Sequence, residues 1–176
     1  MASILGVETL QHTNGTTAAT IDSSGNVKPT ASGSVVAVRF YSNNTRATVS
    51  SAASGTLISF TDTKLYGSET DIIVTANVIG HDQGNGGSGD IGAYIGYDGT
   101  EKYSIDNNYN AQAYNNTMTG QAKFTGVSSG SRTVKVGWNT GNSVSAAPFP
   151  ILNPNSTDDA RGQQSESTII VYEVIA

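Results

Sequence analysis

The stretch Phe124–Trp138, FTGVSSGSRTVKVGW, decides the fold class. It opens with a turn of small residues, Gly126–Gly130, and then alternates strictly between two faces. One face takes Arg132, Val134, Val136 and Trp138, and the other takes Thr133, Lys135 and Gly137. A period of two beside a Gly/Ser turn predicts an antiparallel strand with one face against a core. We expect this strand to pair with the last apolar run, Thr168–Ile175.

Runs of the same kind recur along the chain, separated by turn residues such as Asp98-Gly99. They are Val35–Phe40, Leu57–Thr61, Ile72–Ile79, Ile91–Tyr97, Lys102–Ile105 and Met118–Phe124. Ile72–Ile79 is apolar on both faces at its start, which predicts a central strand. In Ile91–Tyr97 glycine alternates with tyrosine, so that a ring can lie over the bare backbone of a neighbour. The strand rhythm predicts an all-β fold, an antiparallel β-sandwich or jelly roll.

The composition argues against several kinds of partner and site. Cysteine is absent, which removes disulfides and thiolate metal sites. Charged residues make up 13% of the chain and the net charge is −5 with no basic cluster, so we expect no nucleic-acid partner. No basic stretch or long apolar run follows Met1, which predicts no signal peptide and no membrane insertion.

Residues 1–30 differ from residues 31–176, because they are polar and poor in large apolar side chains. Thr17–Val27 has the pattern of a hairpin, and Pro29 is expected to interrupt any ladder that follows. A two-stranded hairpin is marginal alone. We therefore expect residues 1–30 to form a short hairpin or extended arm, either floppy or ordered against a neighbouring chain. Residues 31–176 are expected to form the sandwich domain.

A long loop, Asn139–Glu166, carries an apolar centre that includes Phe149, Ile151 and Leu152. Exposed to solvent, this apolar centre would tend to associate with other apolar surfaces. Two interpretations stay open, because both bury the same side chains. The loop contacts another subunit, or it folds back over the end of its own sandwich.

The closing strand Thr168–Ile175 is apolar on both faces, which predicts a cover on each face. One cover would be another subunit, and Ile169, Val171 and Glu173 are its interface candidates together with the loop residues named above. Glu173 would then need a positive partner. The candidates for that partner are Arg39, Arg132 and Arg161.

The sequence predicts no enzyme, no cofactor and no metal site. His12 and His81 are the two side chains that could act as bases at neutral pH, and there is no Gly-x-Ser-x-Gly elbow. Carboxylates occur in successive turns, with Asp98 and Glu101 as the pair that could cleave glycosides. We interpret these carboxylates as solvated turn residues, while Ca²⁺ stays an open option.

Tyrosine and asparagine concentrate in the region from Tyr103 to Asn116. Rigid rings beside adaptable amides are an adhesive composition. The candidates for contact with a receptor or glycan are Tyr103, Tyr109, Tyr114, Asn107 and Asn108. Tyr94 and Tyr97 are interpreted as ordinary sheet packing.

Two stretches resemble known families. Gly130, Ser131, Thr133, Val134 and Val136, with the closing Val171, Tyr172, Glu173 and Val174, resemble the C1q/TNF-like jelly-roll heads. The segment Thr9–Val27, TLQHTNGTTAATIDSSGNV, is similar to a segment of tail-fibre-type and other virion proteins of marine and cyanobacterial phages.

These resemblances imply a ten-stranded jelly roll, a homotrimer and a place on the surface of a phage particle, made in the host cytoplasm. They imply that residues 1–30 anchor the chain to other virion proteins. The anchoring candidates are Thr9, Gln11, His12, Ile21 and Val27. The implied function is a fibre- or spike-like appendage that contacts the host surface. The alternative is a capsid decoration protein on the major capsid lattice, and a glycan depolymerase is less favoured.

Overall fold

The fold is that of a computed structural model, which describes residues 8–21, 23, 25, 27–48, 54–81, 90–108, 115–140, 151–152 and 165–176. All strand pairs in these ranges are antiparallel, and none of the described residues is helical. The described part of the chain accordingly has no helix that could cross a membrane. The predicted all-β antiparallel sandwich is confirmed.

The strands of the described residues are β1 (Thr9–Gln11), β2 (Thr17–Ile21), β3 (Val27–Pro29), β4 (Val35–Asn43), β5 (Ala47–Thr48), β6 (Ser54–Lys64), β7 (Thr70–His81), β8 (Asp90–Tyr97), β9 (Thr100–Asn108), β10 (Asn115–Phe124), β11 (Gly130–Thr140), β12 (Ile151–Leu152) and β13 (Ser167–Ile175).

Two sheets form the sandwich and a small third sheet stands beside it. Sheet I has the strand order β4-β13-β7-β12-β5, and β10 also pairs with β7. Sheet II has the order β6-β11-β8-β9, and the N-terminal sheet has the order β1-β2-β3. Strand β7 lies between β13 and β10, so the central strand predicted at Ile72–Ile79 is confirmed. Among the described strands, six of the nine connections from β4 to β13 change sheet, as connections in a jelly roll do.

The core lies between the inner faces of sheets I and II. Sheet II contributes Val134, Val136 and Trp138 from β11, and sheet I contributes Ile169 and Val171 from β13; none of these side chains has accessible surface. The alternation in the stretch Phe124–Trp138 therefore predicted the correct inner face.

The predicted pairing of β11 with β13 is wrong. Strand β11 pairs with β6 and β8 in sheet II, whereas β13 pairs with β4 and β7 in sheet I. Both strands need an apolar inner face, whether they are neighbours in one sheet or face each other across the core. Alternation alone cannot distinguish these two arrangements.

Glycine and tyrosine interlock on the outside of sheet II, as their alternation predicted. Tyr94 pairs with Gly137 of β11, and a Cβ atom built on Gly137 would collide with the Tyr94 ring. The same atom would lie 2.5 Å from the carbonyl oxygen of Gly55. The Lys135 ammonium lies 5.2 Å from the centre of the ring and covers it. Tyr94 is buried by this packing, as expected.

The sandwich has two unlike ends. At the turn end, short turns at 65–69, 98–99 and 125–129 join the strands, and the closing strand stops at Ile175. The predicted Asp98-Gly99 turn has both φ angles positive, 50° and 81°, as a two-residue hairpin loop requires. At the other end, here called the loop end, the strands terminate at Asn43, Ser54, His81, Asp90, Asn108, Asn115, Thr140 and Ser167.

The N-terminal sheet is attached to the turn end. The hairpin predicted over Thr17–Val27 is confirmed as β2 and β3, and β1 adds a third strand that was not predicted. Pro29 does not stop the ladder before it, because it ends an edge strand and pairs with Ala19. Lys28 holds the sheet to the 65–69 turn, as described below.

Candidate functional site: an apolar sheet face and the charges behind it

The closing strand β13 shows which of its faces is free. Ile169, Val171 and Glu173 have no accessible surface in the single chain, since sheet II already covers them. Their assignment to a subunit interface is therefore wrong: a side chain enclosed by its own sandwich cannot touch another subunit. The opposite face, with Ile170 and Tyr172, is half-buried.

An apolar surface covers the outer face of sheet I where β4, β13 and β7 lie side by side. We call it the apolar patch, and it consists of Val38, Phe40, Ile73, Ile170 and Tyr172. Register places Phe40 opposite Ile170, and Tyr172 between Val38 and Ile73. Val38 is 58% exposed and Phe40 is 62% exposed. Contiguous exposed apolar groups of this kind mark interaction surfaces in soluble proteins.

The outer face of sheet I turns polar on the side away from β4. There Gln121 donates a hydrogen bond to Thr75 (3.2 Å), and Thr119 donates one to Asn77 (3.4 Å). Among the described outward residues of β4, β7, β10 and β13, the charged ones are Lys123 and Asp71, which form an ion pair at 2.6 Å. The apolar patch therefore carries no charge of its own.

A charge cluster lies behind the apolar patch, inside the sandwich. Its centre is Asp62 of β6, which has no accessible surface. Arg39 of β4 donates to both carboxylate oxygens, from Nε at 2.5 Å and from a terminal nitrogen at 3.1 Å. The hydroxyls of Tyr41 and Tyr97 each donate at 2.5 Å. Asp62 thus joins β4 of sheet I to β6 and β8 of sheet II.

Glu173 is the second carboxylate of the cluster, and it fixes the 65–69 turn. The backbone N–H groups of Leu65 and Tyr66 donate to it at 3.1 and 2.8 Å. Arg39 donates at 3.2 Å and the Thr70 hydroxyl at 2.9 Å. The prediction that Glu173 takes an arginine partner, with Arg39 among the candidates, is confirmed.

Lys64 balances the second carboxylate. Its ammonium is buried, lies 3.4 Å from Glu173, and donates to the carbonyl oxygens of Tyr66 (2.7 Å) and Gly67 (2.6 Å). It also donates to the Thr70 hydroxyl at 2.5 Å. Two cations and two carboxylates are therefore enclosed together, with their hydrogen bonds satisfied, which is the condition under which buried charges are tolerated.

The pKa shifts in the cluster follow from these bonds. Burial alone would raise the pKa of Asp62, but the hydrogen bonds from Arg39 and two tyrosines outweigh it and lower the pKa. Burial also opposes ionisation of Glu173, yet the backbone N–H donors of the 65–69 turn hold its pKa below the ordinary value. Burial and the bond to Asp62 raise the pKa of Tyr41 to about 12. Both carboxylates are ionised at neutral pH.

The sequence does not predict Asp62 and Lys64 as part of the site. Its strand pattern from Leu57 ends at Thr61, whereas β6 continues to Lys64. The parity that points Ile58 into the core also points both missed residues inward. Arg132, the other described arginine proposed for Glu173, instead donates to Ser128 oxygens and pairs with Asp98 at 3.4 Å.

The 65–69 turn also holds the N-terminal sheet. Lys28 of β3 pairs with Glu69 at 2.8 Å and lies 4.6 Å from the centre of the Tyr66 ring. The hydrogen bond from Lys28 lowers the pKa of Glu69 to about 2. Of the anchoring candidates, Thr9 and Gln11 lie in exposed β1, His12 lies in the turn that follows, and Ile21 pairs with Val27.

The receptor candidates divide by position. Asn107 and Asn108 lie at the loop end of β9, opposite Ile91 and Asp90. Tyr103 pairs with Tyr94 in the middle of the strand, about 15 Å from that end at the usual strand rise. Tyr109 and Tyr114 lie outside the described residues.

The remaining candidates lie apart from one another. Ile151 and Leu152 form β12, which pairs with β5 and with the end of β7 of the same chain, so this part of the long loop folds back on its own sandwich. Phe149 lies outside the described residues. Glu101 pairs with Lys135 at 2.6 Å, whereas Asp98 pairs with Arg132 at 3.4 Å. Within the described ranges, no group of three or more acidic or histidine side chains could hold a metal ion.

Comparison with known proteins finds remote structural similarity alone. No family model matches the chain, and no curated protein matches it. The sugar-binding EclA C-terminal domain is 17% identical at a TM-score of 0.40, over 77% of this chain and 78% of that one. The infectious bursal virus protein of T=1 particles is 16% identical at a TM-score of 0.47, over 83% of this chain. The protein of the T13 particle of that virus is 12% identical at 0.43, over 85% of this chain. This chain spans 33% and 38% of the two viral proteins. Similarity this remote carries no function across.

Proposed function

We propose that the chain is a non-enzymatic structural protein on the surface of a bacteriophage particle, a trimeric appendage held at its N-terminal end. The observation that carries this proposal is that the two ends of the sandwich differ. The N-terminal sheet is tied to the turn end through Lys28, while Asn107 and Asn108 stand at the opposite, loop end. A unit attached at one end, with asparagine positions at the end of a strand at the other, has the layout of an appendage.

Self-association is proposed to occur through the apolar patch. The patch is uncharged and reaches β4, an edge strand of sheet I among the described strands. An apolar surface that reaches a sheet edge suits a cyclic arrangement, in which the edge of one copy packs on the face of the next. The C1q/TNF-like pattern of β11 and β13 implies that the ring has three subunits. The charged side chains beside the patch, Lys123 and Asp71, pair with each other at 2.6 Å, which would limit charge repulsion between copies.

The test is competition for host cells. Purified full-length protein should lower the adsorption of the parent phage to permissive cells, and replacing Asn107 and Asn108 by alanine should remove most of that effect. Thr133→Ala, an exposed change on the outer face of sheet II, is the matched control and should leave the competition intact. Gold attached at the N-terminal end should lie against the particle.

Other outcomes would identify the alternatives. Particles that lack the protein, adsorb normally and lose resistance to heat or salt would contradict the appendage and indicate capsid decoration. Release of reducing sugar from host polysaccharide, lost on changing Asp98 or Glu101, would contradict the non-enzymatic assignment and indicate a depolymerase.

A further inference from the structure

We propose that Arg39 is a positioning residue for the apolar patch: it clamps β4 to β6 and so fixes Val38 and Phe40 for a neighbouring subunit. This inference rests on the proposed self-association through that patch. Arg39 lies between the two contact residues in sequence, but its side chain points to the opposite face. It would therefore act on the interface without touching it.

Strand β4 depends on such a clamp because it is an edge strand among the described strands. Within the described residues it pairs with β13 alone, and none of its residues is buried. By contrast, every second residue of β13 is buried, from Ser167 to Glu173. An edge strand without buried side chains opens locally more easily than a central strand. The two most exposed apolar residues of the patch, Val38 and Phe40, both lie on β4.

The guanidinium of Arg39 ties three strands together at one point. Two of its nitrogens bind Asp62 of β6 in a fork, and the third nitrogen binds Glu173 of β13 at 3.2 Å. Paired bonds of this geometry fix direction as well as distance. Tyr41, two residues along β4, adds a bond to the same Asp62 and stacks on Phe60 with ring centres 5.3 Å apart. The clamp therefore acts along the middle of β4.

Lysine at position 39 would keep the charge but lose the fork. A lysine ammonium is a point charge on a flexible stem and cannot bind both carboxylates in the same fixed plane. Arg39→Lys therefore separates the positioning role from the charge balance of the cluster, and it avoids the unpaired buried carboxylate that Arg39→Met would create.

The experiment uses the full chain and two readouts, hydrogen exchange of the backbone amides and the dissociation constant of self-association. Arg39→Lys should speed exchange in β4 and weaken association, each by about tenfold to a hundredfold, the range expected for losing one hydrogen bond between charged groups. Exchange in β11 should stay unchanged. Phe40→Ala is the comparison variant: it should weaken association while exchange in β4, measured on the dissociated chains, matches wild type.

The outcomes separate the two proposals. If the wild type associates and Arg39→Lys associates equally well, or leaves β4 exchange unchanged, the positioning role of Arg39 is wrong and the proposed function stands. If the wild type is monomeric at every concentration, self-association through the patch fails, and the role of Arg39 in it fails as well.

Discussion

Replacing Glu173 by glutamine probes the charge cluster with a nearly isosteric change. One carboxylate oxygen accepts from the Tyr66 N–H and the other from the Leu65 N–H. Whichever way the amide is turned, its NH₂ group must therefore face a backbone N–H donor, and Lys64 loses its counter-charge. Breaking a buried ion pair by removing one partner costs about 3–5 kcal/mol. For a chain of this length that lowers Tm by roughly 6–20 °C.

The assay is thermal unfolding followed by the fluorescence of Trp138, which lies in the core. Glu101→Gln is the matched control, because it removes the same charge from a pair at 2.6 Å with Lys135 in which both side chains are partly exposed. Exposed pairs contribute about 0–1 kcal/mol, so the control should lower Tm by no more than roughly 4 °C. Equal shifts for the two variants would refute the reasoning that burial and the fixed donors make Glu173 important.

Three further predictions concern the charge cluster, the backbone at Gly137 and the attachment of the N-terminal sheet. Because the folded-state pKa values of Asp62 and Glu173 are lowered, their stabilisation is present above about pH 4 and is lost as the pH falls through the folded values; urea titrations from pH 6 to pH 2 should show a shallower decline in Asp62→Asn than in wild type. Gly137→Ala should cost about 1–3 kcal/mol in urea unfolding, since its methyl group would meet the ring and the carbonyl that approach this backbone, whereas exposed Thr133→Ala on the same strand should stay within about 0.5 kcal/mol. Lys28→Gln should make the N-terminal sheet more sensitive to limited proteolysis without changing the Tm of the sandwich, and an unchanged cleavage pattern would show that this lysine does not hold the sheet.

In this fold the sequence predicts which face of a strand lies inward, but it does not predict which strands pair with each other. Alternation correctly turned Val134, Val136 and Trp138 inward, and the doubly apolar run at Ile72–Ile79 correctly indicated a central strand. It misassigned the neighbour of β11, because an apolar inner face serves a strand beside it and a strand across the core equally well.

The same limitation of strand patterns explains why the wrong face of β13 is predicted to contact another subunit. The double-sided apolar pattern of β13 predicts two covers and places Ile169 and Val171 at the subunit contact. Burial shows that Ile169 and Val171 meet the chain's own second sheet, which leaves Ile170 and Tyr172 outside. Pattern gives the parity of a strand, but which parity faces inward depends on long-range pairing.

The charge cluster was half predicted. A glutamate among apolar residues on β13 signals a need for a cation, and Arg39 was among the three candidates. Asp62 was missed because polar residues at the end of a strand resemble a solvated turn, and only the pairing of β6 with β11 carries the strand that far. The four hydrogen bonds that its carboxylate oxygens accept come from Arg39, Tyr41 and Tyr97, which are 21 to 35 residues away from Asp62 in the sequence.

The molar mass of the full-length chain in solution tests the central claim, that the apolar patch is a subunit interface. Sedimentation equilibrium at micromolar concentration should give three times the chain mass of 18.2 kDa for the wild type, and the single-chain mass for Phe40→Asp. Phe40 is 62% exposed in the single chain, so this variant should keep the fold and the buried environment of its tryptophan. Thr133→Asp, on the other sheet, should remain trimeric. A wild type that sediments as a single chain, or a Phe40→Asp protein that stays trimeric, would contradict the account.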